Sequence, residues 1–541
     1  MSRSKFSNES TYKTAVETGK EAEFDRMFDQ AVEEAKKLFG AIHKLHIAGK
    51  DLAASETITE KSPIDGTVIG YFQKATRDQA KLAIKEAQAA FGPWRATGYK
   101  ERAAIFRKAA DVFVRHKFLL SAILSYENGK SRYESVGEVD EAIDFMRYYA
   151  DEIEANRGYL RRNVIKSSEA KVSAGFQGAP STKTEKITIR LEPYGVFGVI
   201  APFNFPVSIS VGMSVGAMIT GNTVVFKPSA SDSMTMLTGL KIYEYFKEAG
   251  LPDGVFNYIS GPGSEVGDEL VVSRDVSGIV FTGSRATGIG MMMKAYGLGL
   301  QKTFIVEMGG KNPAIVSKYA DIDDAVSGVA SAAFGFDGQK CSACSRVYVH
   351  DSIKEQFVSK MIDKARGFKI GNPLQKDVYM GPLISDKAFR TYTEAVEKAK
   401  VQGRVLYGGN KVNLGLGGYY VEPTIVELRH DSELVKRELF VPILSIESYK
   451  NFEDALKYAN DVDYGLTAGL YSKNRKEIKE FMDAIEAGVV YINRGISATT
   501  GAIVGMHTFV GWKGSSLNGK GSGSRFYLPQ FMREQSMSLT T

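Results

Sequence analysis

The sequence predicts an α/β fold with two sheet domains, and three observations predict it. From "GVFGVIA" at residue 195 onward, short apolar runs alternate with helical stretches, the pattern of a parallel sheet covered on both faces. A second such alternation opens after Gly310 with "NPAIVS". The chain has 541 residues, more than one compact core holds, so two or three subdomains are the default.

Taken in order, the first 27 residues are polar and carry several acids, unlike a secretory signal or an acid-poor transit peptide. "ITEKSPIDGTVIGYF" reads as a β-turn-β entry and "RDQAKLAIKEAQAAF" as an amphipathic helix, with further helices to about Arg157. Residues 171–186 are small and polar, a linker or the tip of an excursion. "VSISVGMSVGAMIT" and "SMTMLTGLKIYEYFKEAG" are helices interleaved with the strands "GVFGVIA", "TVVFKPS", "VFNYIS" and "GIVFTGS". After Gly310 come "NPAIVS", the helix "DIDDAVSGVASAAFG" and the strand "SRVYVH", and the alternation runs to "GVVYIN" near Asn493. The tail 494–541 is rich in Gly and Ser without clear periodicity.

Composition excludes several classes. The 69 basic and 63 acidic residues are well mixed, for a net charge of +6; without a basic stripe, nucleic acid is no partner. Pro193 to Phe226 carries no charge, long enough for a membrane span. It also holds Pro202, Asn204, Pro206 and a Gly-Asn turn, so it reads as strand, loop, helix, turn and strand of a buried core. Two cysteines cannot staple a chain this long, which points to a reducing, cytoplasmic setting.

Three glycine-rich stretches invite phosphate. "SGPGSEVGDEL" (Gly261, Gly263, Gly267) follows a strand, but its last spacing is one residue longer than the dinucleotide fingerprint. "FTGSRATGIG" puts Gly283, Ser284 and Gly288 at a helix N-terminus, where free N–H groups and the dipole favour a pyrophosphate. "GSSLNGKG" lacks the Ser or Thr a P-loop needs after its lysine. Tight βα turns use glycine anyway, so only the succession of the first two in one sheet points to a Rossmann-type dinucleotide site.

Both cysteines sit in "FGFDGQKCSACSRVYVH". A disulfide across three positions gains little. The six histidines are scattered, which leaves a zinc site without ligands. A redox CxxC belongs where a strand meets a helix, whereas Cys344 leads directly into a strand. Two readings stay open on this segment: one nucleophilic cysteine, or a buried structural thiol. A nucleophile needs a base and oxyanion donors. Glu307, at a strand end in an apolar setting, suits the base. Asn204, at the end of a parallel strand, offers two side-chain N–H donors.

These residues together resemble the aldehyde dehydrogenase superfamily, through an ordered series over roughly residues 45–515. "PFNFP" resembles its oxyanion asparagine, "FKPS" its ribose lysine strand and "FTGSRATG" its pyrophosphate turn. "VEMGGKNP" resembles the general-base segment, "GQKCSACS" the nucleophile segment and "KRELFVPIL" the nicotinamide-ribose glutamate. Within it, "FGFDGQKCSACSRVYV", Phe203 and "TGAIVG" are most similar to the branch that oxidises L-glutamate γ-semialdehyde, the 1-pyrroline-5-carboxylate dehydrogenases. The resemblance implies an aldehyde-dehydrogenase-like fold. Its Rossmann-type cofactor domain is expected over 1–170 and 187–306, and its α/β catalytic domain over 307–494. A small β oligomerisation excursion at 171–186 is expected to pair with the tail 495–541.

It also implies roles. Cys341 is the expected nucleophile, Glu307 the base and Asn204 the oxyanion donor, with Cys344 packed as a small apolar residue. NAD or NADP is the expected cofactor, held by Lys227, Ser229, Gly263, Gly283, Ser284, Gly288, Glu438 and Phe440. Ala230 stands where many NAD-using relatives carry a carboxylate, which leaves NADP open. Ser342, Gly501 and Ala502 are expected to anchor the substrate carboxylate, Phe205 and Phe509 to flank its stem, and Glu138 to face its amino group. No metal is expected, and the assembly is expected to be a homodimer or an assembly of dimers. "MHTFVGW", the long "RGISATTGA" and Val441 depart from the family pattern. They leave room for another small polar aldehyde, and a non-catalytic protein on the same fold is the alternative of a different class.

Overall fold

The computed structural model describes residues 6–166, 184–495 and 503–540. Among these, two sheets of seven strands each carry the architecture. Across the first, the order is Thr303–Glu307, Val276–Thr282, Val196–Ile200, Thr223–Lys227, Phe256–Tyr258, Leu45–Ile47 and Lys50–Leu52. The first five are parallel and the hairpin at 45–52 adds antiparallel to them. Val196–Ile200 and Thr223–Lys227 are buried at every position, as strands between two helix layers must be. From Val196–Ile200 the chain builds outward to Phe256–Tyr258, then crosses back to Val276–Thr282 on the other side. That reversal opens a crevice at the carboxyl ends of these strands, where Asn204 and Gly283 follow.

The second sheet runs Arg404–Tyr407, Thr424–Glu427, Ile443–Tyr449, Cys344–His350, Asn312–Val316, Thr467–Tyr471 and Val489–Ile492. All pairs are parallel except the outermost at Arg404–Tyr407. The chain passes from one sheet to the other between Glu307 and Asn312.

A three-stranded antiparallel sheet of Leu160–Lys166, Thr184–Pro193 and Met532–Thr540 corrects two expectations. Most of the expected excursion, 171–186, lies outside the described residues. Its flanking strands begin before and end after those limits, so 160–166 and 187–193 belong to this sheet, not to the first seven-stranded one. The tail, aperiodic by sequence, supplies a nine-residue strand. "MREQSMSLT" has no apolar run, and its strand is set by the partner it pairs with.

The helix Arg77–Ala96 starts at a capping box between Thr76 and Gln79, which satisfies two free N–H groups. Helices Tyr99–Asn128 and Arg132–Ala155 pack on each other and on Ser208–Ile219. Gly129, left-handed at φ 78°, ends the first of them, and a Cβ there would come within 2.9 Å of Pro382. "SGPGSEVGDEL" forms one wide turn, Gly263–Gly267, which opens the short helix Asp268–Val272.

Candidate active site

The helix Ile322–Phe334 ends in a tight turn, Gly335–Gly338, in which Phe336, Asp337 and Gly338 are left-handed, with φ of 49°, 56° and 65°. Two successive non-glycine residues rarely adopt that backbone. The turn sets Cys341 at the amino end of the strand Cys344–His350, facing the carboxyl ends of the first sheet. Both cysteines are buried and free. Cys344 packs in the core of the second sheet, its Sγ 3.6 Å from the Arg346 carbonyl.

Cys341 lines a cavity together with Ser342, Glu307, Phe205, Phe509 and Glu141. Burial, then the Glu438 and Glu307 carboxylates, push its thiol well up. The N–H groups of Ser342 and Cys341 pull the other way without prevailing. The resting group is therefore a neutral thiol that needs a base. Burial raises Glu307 to about 8, against the Ser516 hydroxyl, and its Oε2 is enclosed without a partner. Asn204 is buried. Its Oδ1 accepts from the Phe205 N–H at 3.1 Å and its Nδ2 donates to the Gln339 carbonyl at 3.1 Å. One of its two N–H bonds is used there, and the other is left for a ligand.

The groups expected to hold a dinucleotide follow the carboxyl edge of the first sheet. Lys227 is buried, with no carboxylate beside it among the described residues; its Nζ donates to the Pro228 carbonyl at 3.1 Å and burial lowers it to about 8. Ser229 donates to the Ser233 carbonyl within the same loop. Gly283 N–H donates to the Glu307 carbonyl at 3.0 Å, and Ser284 caps the helix Arg285–Gly297. Gly288, in its first turn, sits where a Cβ would come within 2.5 Å of Met308 Sδ. Glu438 Oε1 accepts from the Gly310 N–H at 2.9 Å. Gly309, at φ 88°, leaves room for that carboxylate, since a Cβ there would lie 2.5 Å from it. Burial raises Glu438 to about 7. Phe440 meets Phe203 edge-on at 5.9 Å. Gly263 is exposed with open space around it, so packing there does not demand glycine. An unpaired buried cation at one end of this edge, a capped helix N-terminus in the middle and a carboxylate on a glycine turn at the other fit a dinucleotide.

One substrate residue needs correction. Glu138 does not line the cavity: it is buried against Lys130, and its Oε1 accepts from the Val207 and Ser208 N–H groups. The carboxyl on the wall is Glu141, three residues on, which sequence reasoning missed and which burial raises to about 7. Gly501 and Ala502 lie outside the described residues. The tail closes the cavity with Phe509, Ser522 and Tyr527.

The chain matches the Aldehyde dehydrogenase family over residues 51–537. A 1-pyrroline-5-carboxylate dehydrogenase of Halalkalibacterium halodurans is 36% identical over 520 residues, covering 95% of this chain and 96% of the relative. The crystal structure of a Thermus 1-pyrroline-5-carboxylate dehydrogenase with bound NAD superposes with a TM-score of 0.89 at 33% identity, covering 100% of both chains. Proline utilization A from Bdellovibrio bacteriovorus, in a structure inactivated by N-propargylglycine, gives 0.88 at 34% identity. That match covers 99% of this chain, which spans about half, 53%, of the longer protein.

Proposed function

The chain belongs to the aldehyde dehydrogenase family, and on that premise we infer that it oxidises L-glutamate γ-semialdehyde, formed from 1-pyrroline-5-carboxylate, to L-glutamate with NAD(P). The observation that carries this is the cavity joining Cys341, Glu307, Ser342 and Glu141, in a chain that 1-pyrroline-5-carboxylate dehydrogenases match along nearly its whole length.

Glu307, in its carboxylate form, takes the Cys341 proton, directly or through a water. The sulfur attacks the aldehyde carbon and forms a thiohemiacetal. Its oxyanion is held by the free Asn204 Nδ2–H and the Cys341 N–H. Lys227, Ser229, Gly283, Ser284 and Glu438 hold the dinucleotide, whose nicotinamide, when bound, accepts the hydride from that carbon. Glu307, once that proton has passed to solvent, takes a proton from a water that attacks the resulting thioester and hands it to the departing Cys341 sulfur, releasing the acid, which ionises to the carboxylate, and the thiol. A water-activating carboxylate beside the thiol supports hydrolysis over transfer to another acceptor.

Glu141 pairs with the substrate's ammonium, which favours its ionised form. The Ser342 hydroxyl takes the α-carboxylate, and Phe205 and Phe509 flank the stem. The protein assembles through the three-stranded sheet, whose outer strands, Leu160–Lys166 and Met532–Thr540, have unpaired edges among the described residues. Two free buried thiols support a reducing, cytoplasmic setting.

Initial rates with 1-pyrroline-5-carboxylate and with pentanal, each with NAD and NADP, test the substrate. The semialdehyde is expected to win by at least about tenfold in kcat/KM, the scale of one well-placed polar contact. Equal or better turnover of pentanal would remove the substrate and leave the chemistry. Ala230 puts no carboxylate against a 2′-phosphate, and the cofactor pair measures what that permits.

A further inference from the structure

Lys130 lies in the short connection between the helices Tyr99–Asn128 and Arg132–Ala155, and its ammonium is completely buried. An ammonium pays heavily for such a place unless it is paired. Lys130 pairs with Glu138, and its Nζ also donates to the Asn204 carbonyl at 2.6 Å. The same ammonium stands over the Phe205 ring at 3.7 Å and the Phe336 ring at 4.6 Å. Glu138 Oε1 accepts from Val207 N–H at 2.7 Å and Ser208 N–H at 3.2 Å. These begin the helix Ser208–Ile219, which has no side-chain cap of its own. Asn128 Nδ2 donates to the Phe203 carbonyl at 3.3 Å.

The backbone on both sides of the Asn204 side chain is thus held from one place, carbonyls at 203 and 204, amides at 207 and 208. Through Phe336 the same ammonium touches the left-handed turn that leads to Cys341. Apolar side chains of equal volume would fill this space without the cost of burying charge. They would not fix where those carbonyls and amides point.

We propose that Lys130 and Glu138 are positioning residues that hold the Asn204 amide and the turn before Cys341 in register, so that the oxyanion formed at the substrate carbonyl meets its donors. The inference rests on the reading of Asn204 as an oxyanion donor.

The test compares K130M, E138Q and the double variant K130M/E138Q, which leaves no unpaired buried charge, each with and without N204A. Two rates are read: kcat with the semialdehyde, and alkylation of Cys341 by iodoacetamide, which substitutes at a saturated carbon and makes no oxyanion. K130M/E138Q is expected to lose about 10- to 100-fold in kcat, less than the roughly 100- to 1,000-fold of losing an oxyanion donor outright. KM for NAD(P) and the alkylation rate should stay within about twofold of the parent, since neither involves the oxyanion. In the N204A background the pair should add less than about threefold, as members of one unit do. An unchanged kcat in K130M/E138Q, or alkylation falling together with kcat, overturns the proposal. An unchanged kcat in N204A alone removes the Asn204 reading and this inference with it.

Discussion

Glu307 is where burial does chemical work. Its carboxyl sits at about 8 because it is enclosed and nothing but Ser516 favours the charged form. The active base is the carboxylate, so turnover is expected to climb as pH rises through about 8 and to fall on the acid side. Glu307→Gln should slow the first release of reduced nicotinamide, because it lacks the base that takes the Cys341 proton, and should stall at about one per chain, because nothing activates the hydrolytic water. Its steady-state rate should drop about 100-fold or more and lose that pH dependence. A stopped-flow trace at 340 nm checks both, and steady turnover without that plateau would free Glu307 from the hydrolytic step. Cys341 and Glu307 were legible as residues because a lone thiol pair in a glycine turn and a glutamate after an apolar strand are unusual company. Glu141 was not. It lies three positions from Glu138 on one helix, and a sequence does not say which of two carboxyls on the same face meets the cavity and which meets a helix end.

At the scale of elements, the helix Met236–Glu248 is capped from outside its own sequence. Glu60 accepts from the Met236 and Leu237 N–H groups, and Glu127 from Leu237, Thr238 and the Thr238 hydroxyl. Both carboxyls are buried. Burial raises Glu60 to about 7, and burial plus the neighbouring Glu60 raise Glu127 well above the usual carboxylate range. The folded chain therefore holds more protons than the unfolded one from the ordinary carboxylate range up to about 7. Stability is expected to fall as pH rises through that window. Glu60→Gln keeps an acceptor for Met236 and gives Glu127 a donor. Its loss of stability between pH 5 and pH 8 should be smaller than the parent's by about 1–3 kcal/mol, the scale of a shift of one to two pKa units. Urea midpoints at the two pH values measure this, and parallel shifts in both proteins would show that Glu60 does not carry the pH dependence. Strands such as "VFGVI" and "TVVF" were legible because burial on both faces writes a continuous apolar run. The cap at Met236 was not, because its carboxylates come from a distant strand and a distant helix.

For the whole molecule, the tail carries two duties that truncation separates. Its first part walls the cavity: Met308 N–H donates to the Ser515 carbonyl at 2.8 Å, and Asn518 Nδ2 donates to the Phe304 carbonyl at 3.0 Å. Phe509, Ser522 and Tyr527 complete that wall. Its last part, Met532–Thr540, is the outer strand on Thr184–Pro193. Deleting Arg533–Thr541 exposes a new sheet edge but leaves the cavity wall and the buried Phe531 in place. The proposed assembly should then fall to monomer by light scattering, with turnover per chain within about threefold of the parent. Deleting from Trp512 onward instead opens Glu307 to water, lowers its pKa toward the ordinary range and should cost turnover by about 100-fold or more. If the shorter deletion leaves the assembly intact, the interface lies elsewhere and the outer strand serves only to cover its neighbour. If it abolishes turnover while the assembly persists, the strand must act on the cavity through Phe531 and Tyr527, which pack edge-on at 5.2 Å.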